Sequence, residues 1–136
     1  MEFLWNTAAF ILTLGILVTI HEYGHFWVAH KLGIKVLTFS IGFGKALYQR
    51  RGKDGVVYII GSIPLGGYVK MLDERESKNP IADEDQGSAF NQKSVWVRMA
   101  VVIAGPVANF FISHCTLLVD VYDRNYRCVA RARLYS

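Results

Sequence analysis

His21, Glu22 and His25 form a His-Glu-x-x-His pattern inside the stretch LGILVTIHEYGHFWVAHKL, residues 14–32. On an α-helix, positions four apart lie about 40° apart around the axis, so both imidazoles share one face. Two imidazoles on one face can hold a single Zn²⁺. Glu22 follows the first of them directly, where it reaches a metal-bound water rather than the metal. From there it can serve as general base and then return the proton to a leaving amine. Zinc lowers the pKa of its bound water to about 7, which makes a nucleophile available at neutral pH. The plain alternative is a helix end with two solvent-facing histidines and a glutamate. The setting opposes it: ionisable side chains at membrane depth are costly and mark function, and the following Phe26-Trp27-Val28-Ala29 are still apolar.

A zinc hydrolase site needs a third protein ligand and one open position. Asp73, Asp83 and Asp85 are the candidates. His30 lies about 140° around the helix from His25 and faces elsewhere. His114 reads as a satisfied or snorkelling residue. The ligand set is therefore expected to be incomplete within these 136 residues. Further along, Ala104-Gly105-Pro106-Val107-Ala108-Asn109 interrupts an apolar run. Pro106 leaves the Val102 carbonyl without its helical donor and predicts a kink. Gly105 permits close approach of another backbone. Asn109 is either helix–helix glue or a contact to substrate or oxyanion near the metal.

Two apolar spans must position these groups. Phe3 to Ile20 carries no charge, and its helix would measure roughly 27 Å, close to a bilayer's hydrocarbon thickness. Only Glu2 is charged before it and no small-x-small cleavage site follows, so it reads as a retained transmembrane helix, with a buried helix of a soluble protein as the alternative. The helix should run on through the motif to Leu32, with Gly33 as its stop. A second span, free of permanent charge, covers Met99 to Val119 and should start as a helix near Val95. Between the spans, residues 33–72 are rich in β-branched and aromatic residues. Asp54-Gly55 predicts a hairpin between Ala46–Arg50 and Val56–Ile60, and Pro64-Leu65-Gly66-Gly67 a break before Tyr68–Leu72, giving three or four short antiparallel strands. Residues 73–94 hold six of the eleven acidic residues and read as an exposed loop.

The expected fold class is thus a mainly α membrane protein: two transmembrane helices connected by a small antiparallel β-region and a polar cytoplasmic loop. The divisions are 1–32, 33–72, 73–94, 95–119 and a tail at 120–136. Lys31, Lys35, Lys45, Arg50, Arg51 and Lys53 follow the first span and no Lys or Arg precedes it. The positive-inside rule then puts the N-terminus outside and the middle region in the cytoplasm. The net charge of +4 bears on that orientation and not on nucleic acid, for which no aromatic-basic pattern or recognition helix is present. Cys115 and Cys128 have neither zinc-knuckle nor redox spacing.

HEYGHF at 21–26, SIGFGK at 40–45, IPLGGYVKMLDE at 63–74, FNQKSVWVR at 90–98 and AGPVANF at 104–110 resemble, in this order, the motifs of site-2 proteases. The resemblance covers about residues 3–111. It implies a zinc intramembrane endopeptidase of the bacterial inner membrane that cuts single-span membrane proteins such as an anti-sigma factor. By the same resemblance His21 and His25 match the zinc ligands and Glu22 the catalytic glutamate. Gly42, Phe43, Gly44, Pro64, Gly66, Gly67 and Tyr68 match a membrane-associated β-region that offers an edge to an unwound substrate. Asn109 matches the asparagine of the family's Gly-Pro-x-x-Asn element. The family's third ligand is an aspartate on a later transmembrane helix, which implies that this chain alone is inactive. A non-catalytic membrane fragment or partner-binding remnant of such a protease is the alternative. A membrane-anchored zinc peptidase with a soluble active site is a second one. After Phe111 the text departs from the family, which suggests a truncated or frame-shifted reading, or a divergent tail.

Overall fold

The structure, a computed structural model, describes residues 1–75 and 87–134, with side chains for all of these except 64 and 128–134. In chain order these form helix α1 (Glu2–Lys31), strands β1 (Val36–Arg51) and β2 (Val57–Met71), a 3-10 turn (Phe90–Gln92) and helix α2 (Val95–Leu134). Glu2–Lys31 and Val95–Arg127 are each long and apolar enough to cross a membrane. Phe3, Leu4, Trp5, Phe10 and Leu12 of α1 are all exposed. A helix with apolar side chains on every side suits an apolar surrounding rather than water.

α1 ends as its sequence suggests. Gly33 adopts φ +67°, its N–H donates to the His30 carbonyl, and the Ile34 N–H donates to the Ala29 carbonyl at 2.9 Å. This glycine-terminated cap satisfies the last carbonyls and turns the chain out of the helix. β1 starts at Val36, three residues after Gly33. A set of backbone bonds fixes that junction: Lys35 N–H to Ser88 carbonyl, Leu72 N–H to Lys35 carbonyl, and Phe90 N–H to Leu72 carbonyl. They join the exit of α1, the end of β2 and the approach to α2 at one place.

The β-region is a two-stranded antiparallel sheet of unusual course. The Asp54-Gly55 turn forms where expected, with the Gly52 N–H donating to the Val56 carbonyl at 2.8 Å. From there the hairpin pairs Arg51 with Val57 through Ala46 with Gly61. Each strand then bends and returns alongside the other. Phe39 consequently has Tyr58 as partner on one side and Val69 on the other, and Tyr58 also pairs with Arg50. Four strand segments lie side by side, although among the described residues they belong to two strands. The expected three or four short strands are therefore two long ones. Gly42 and Gly44, at φ +85° and +87°, let β1 turn without leaving the ladder, so positions that read as breaks are bends.

The core lies where the sheet meets the helices. Ala29, Ile34, Val36, Phe39, Val56 and Val101 are buried together. Phe26 of α1 seals this cluster through ring contacts to Phe39 at 5.3 Å and Tyr58 at 6.1 Å. The Tyr58 hydroxyl donates to Asp54 Oδ2 at 2.9 Å. Its pKa is raised, first by burial and then by this bond and the adjacent carboxylate charge.

α2 starts at Val95, with the Ser94 hydroxyl accepting from the Val97 N–H as an N-cap. Glu74 accepts from the Asn91 and Gln92 amides at 3.1 and 2.5 Å and so holds the 3-10 turn against the end of β2. The helix stays continuous across Pro106. It runs past position 119 to Leu134. Charges in this last part are spaced to suit a helix: Asp120 pairs with Arg124 and Asp123 with Arg127, each four apart.

Candidate active site

Helical spacing on α1 brings His21 and His25 side by side, with ring centroids 4.8 Å apart and planes at 80°. Both are half-buried, as is Glu22. α2 packs across this face of α1. Gly24 makes the approach possible: a Cβ there would lie 2.6 Å from the Ala104 carbonyl oxygen and 2.9 Å from the Ala108 Cβ. The motif's glycine thus seats one helix on the other while its histidines face the same helix.

Gly105 occupies the key position on α2. A Cβ at Gly105 would be 2.7 Å from His21 Nε2 and 2.7 Å from His25 Cε1, and would overlap His25 Nε2. The two Nε2 atoms therefore converge on one small space that exists because residue 105 has no side chain. The sequence suggested backbone approach at Gly105; imidazoles approach it instead. The outer side of each ring is also held. His25 Nδ1 lies 2.6 Å from the Val101 carbonyl oxygen. A carbonyl only accepts, so Nδ1 carries the proton and Nε2 presents its lone pair towards Gly105. His21 Nδ1 lies 3.4 Å from the side-chain amide of Asn109. Metal-ligating histidines are oriented by such outer hydrogen bonds. The donor set and the space both fit a zinc ion.

An open cavity of about 410 Å³ adjoins the pair, lined by Leu14, Leu17, Val18, His21, Glu22, Gly66, Gly67 and Asn109. Its polar groups are the ones the motifs single out, and its walls are apolar. β2 reaches the site at Gly66-Gly67. A Cβ at Gly67 would stand 3.0 Å from Glu22 Cγ, so the bare backbone here leaves room for the carboxylate.

The other sequence candidates are distributed differently. Phe43 covers Gly66 with its ring and stacks on Tyr68 at 6.5 Å. Tyr68 lines a separate cleft with Val69, Lys70, Met71, Asp73 and Phe90, away from the histidines. Gly42 and Gly44 act in the bend of β1, and Pro64 lies within β2. His30 is exposed and stacks on Phe26 at 6.0 Å; His114 stacks on Phe110 at 6.4 Å. Among the described residues no cluster of three or more His, Cys, Asp or Glu side chains forms. Asp73 accepts from the Arg75 N–H, while Asp83 and Asp85 lie outside the described residues. The Val101 carbonyl had no signal in the sequence, since a backbone acceptor leaves no mark in residue type.

The family model for peptidase family M50 matches residues 9–128. Over 113 residues the chain is 57% identical to the regulator of sigma-E protease RseP of Salmonella typhimurium, and to that of Escherichia coli; each alignment covers 83% of this chain and 25% of the relative. It is 53% identical over 120 residues to a putative zinc metalloprotease of Xylella fastidiosa, covering 88% of this chain and 26% of that one. The chain spans about a quarter of the length of the curated relatives it matches. A matched model over most of the chain, with the His-Glu-x-x-His residues assembled on one face, makes the conclusion direct: the chain belongs to peptidase family M50, the site-2 proteases, a family of zinc metalloproteases.

Proposed function

We propose that this chain carries the histidine-glutamate half of a zinc-dependent endopeptidase site that works within the bacterial inner membrane. The observation that supports this most is the convergence of the His21 and His25 Nε2 atoms on Gly105, beside Glu22 and an open cavity. His21 and His25 would hold the zinc, which when bound would supply an acidified water. Glu22 takes a proton on its carboxylate and delivers it to the amine that leaves, the two roles of one acid–base group. Apolar walls of Leu14, Leu17 and Val18 limit bulk water around that carboxylate.

A peptide bond within a helix is shielded, so the substrate must become extended before attack. The segment Gly67–Met71 pairs with β1 at the end of the sheet order, and it leads straight from the cavity. An extended segment of a single-span membrane protein adds to this edge by strand pairing, with its backbone passing Gly66-Gly67 beside Glu22. Gly42, Phe43, Gly44, Pro64 and Tyr68 shape and brace that edge. The name of the sigma-E relatives makes an anti-sigma factor the reasonable substrate. The basic residues after α1 orient the N-terminus to the periplasm and the β-region to the cytoplasm. Among the described residues the two histidines have no third ligand beside them, which leaves zinc short of a hydrolase ligand set, so the chain alone is expected not to cleave.

Zinc titration of the purified chain in detergent micelles tests the metal reading. His21→Ala and His25→Ala should each abolish stoichiometric binding, while Glu22→Gln should retain it. Equal binding by the double histidine variant would refute the site. Peptide cleavage by the chain, lost in Glu22→Gln, would refute its inactivity and leave the endopeptidase assignment standing.

A further inference from the structure

Asn109 lies across the helix interface from His21, with its amide 3.4 Å from Nδ1. As drawn, the amide NH2 faces the ring nitrogen and Oδ1 is buried without a hydrogen-bond partner. The two ends of an asparagine amide have nearly the same shape, so hydrogen-bond chemistry decides between them. His21 settles that choice. Its Nε2 faces the same space at Gly105 as the Nε2 of His25. A neutral imidazole that offers Nε2 as a ligand carries its proton on Nδ1. A protonated Nδ1 needs an acceptor, which an amide NH2 cannot be.

We infer that Asn109 turns its Oδ1 to His21 and accepts the Nδ1–H, fixing the tautomer and aim of that ring. Asn109 is then a positioning residue for the metal site rather than only a substrate contact. The inference rests on the zinc reading above. Its symmetry with His25 adds support: that ring is held through Nδ1 by the Val101 carbonyl, also from α2. Two acceptors on one helix, two turns apart, thus set both imidazoles of the other helix. The arrangement gives the buried Asn109 oxygen a hydrogen-bond partner and puts the amide NH2 in its former place.

The test is nitrogen NMR on the full chain in micelles, labelled with ¹⁵N-histidine and held at a pH where imidazoles are neutral. Long-range proton–nitrogen correlations distinguish Nδ1–H from Nε2–H rings, and single substitutions assign the four histidines. His21 should be the Nδ1–H tautomer in the wild type. Asn109→Asp, which keeps an acceptor, should preserve it. Asn109→Leu, similar in size, should release His21 towards the Nε2–H form, while His25 stays Nδ1–H and so reports intact helix packing. If the His25 signal also changes, Asn109→Ser, a smaller side chain that retains an acceptor, and the wild-type tautomer decide the matter. Zinc affinity should fall roughly 10–100-fold in Asn109→Leu, as for other outer-shell partners, and much less in Asn109→Asp. A wild-type His21 protonated on Nε2, or one unchanged by Asn109→Leu, would overturn the inference. Zinc binding that survives loss of both histidines would instead overturn the metal reading, since the tautomer measurement needs no metal.

Discussion

Gly105→Ala places one methyl group where the structure converges two ligands. The added Cβ would lie 2.7 Å from His21 Nε2 and overlap His25 Nε2. Non-bonded heavy atoms settle at about 3.5 Å or more, so the first contact falls roughly 0.8 Å short. The rings have little freedom to yield. His25 is held to Val101 at 2.6 Å, and Gly24 seats α1 against Ala104. A zinc ion held by both rings would need each ligating nitrogen about 2.0–2.1 Å away, and rings pushed off the methyl would lose that shared aim. Ion and methyl cannot both be accommodated with two ligands in place, so at least one histidine is lost to the metal. We expect zinc affinity to fall at least ~100-fold, or about 2.8 kcal/mol at 1.4 kcal/mol per factor of ten. Helix content should not fall with it, because alanine favours a helix over glycine by about 1 kcal/mol. Competition against a chromophoric zinc chelator measures the affinity, and circular dichroism of the same samples measures the helix. An affinity within threefold of wild type at unchanged helix content would refute the reasoning and put the ion away from Gly105.

Three further outcomes are expected. Gly24→Val should separate the helices, since even a Cβ there meets the Ala104 carbonyl at 2.6 Å; faster proteolysis of the micelle-bound chain, with loss of zinc binding, would show it. Glu74→Ala removes the acceptor of Asn91 and Gln92; because these groups are exposed, the cost should stay under about 1 kcal/mol, seen as faster cleavage near residue 90 with zinc affinity unchanged. The raised pKa of Tyr58 makes its contribution to stability complete below the ordinary tyrosine pKa of about 10, and lost as pH rises through the folded value. Difference ultraviolet titration of wild type against Tyr58→Phe should find this group ionising later than free tyrosine, and Asp54→Asn should reduce the delay.

The parts of the molecule that rest on local periodicity were legible in the sequence. The i, i+4 histidines define their own shared face, and Gly33 and Asp54-Gly55 mark a helix end and a turn through conformations that few other residues adopt. The bends at Gly42, Gly44 and Gly66 were not legible as bends, because a glycine that breaks a strand and one that curves it are the same residue. Beyond the apolar span, Asp120 and Asp123 each face an arginine four positions on, a spacing that suits a helix whatever the surroundings. At the site, the limit was distance along the chain. Nothing near His25 marks residue 101 or 105 as its neighbour, and a carbonyl acceptor is supplied by every residue. Tyr68 and Gly67 are adjacent in sequence, yet a strand sends adjacent side chains to opposite faces, so only Gly67 meets Glu22.

The two histidines are four residues apart on one turn of helix. An ion held by them closes no long loop, so it removes almost no chain entropy from the unfolded state. The long loops are closed on the other side of each ring. His25 meets Val101 across 76 positions and His21 meets Asn109 across 88. The same imidazoles therefore face two ways: inward to a ligand that a lone helix could already bind, and outward to bonds that exist only once α2 has docked. Stripping the metal should consequently leave the helix pair joined, since the Gly24 contact and both outer bonds hold α2 without it.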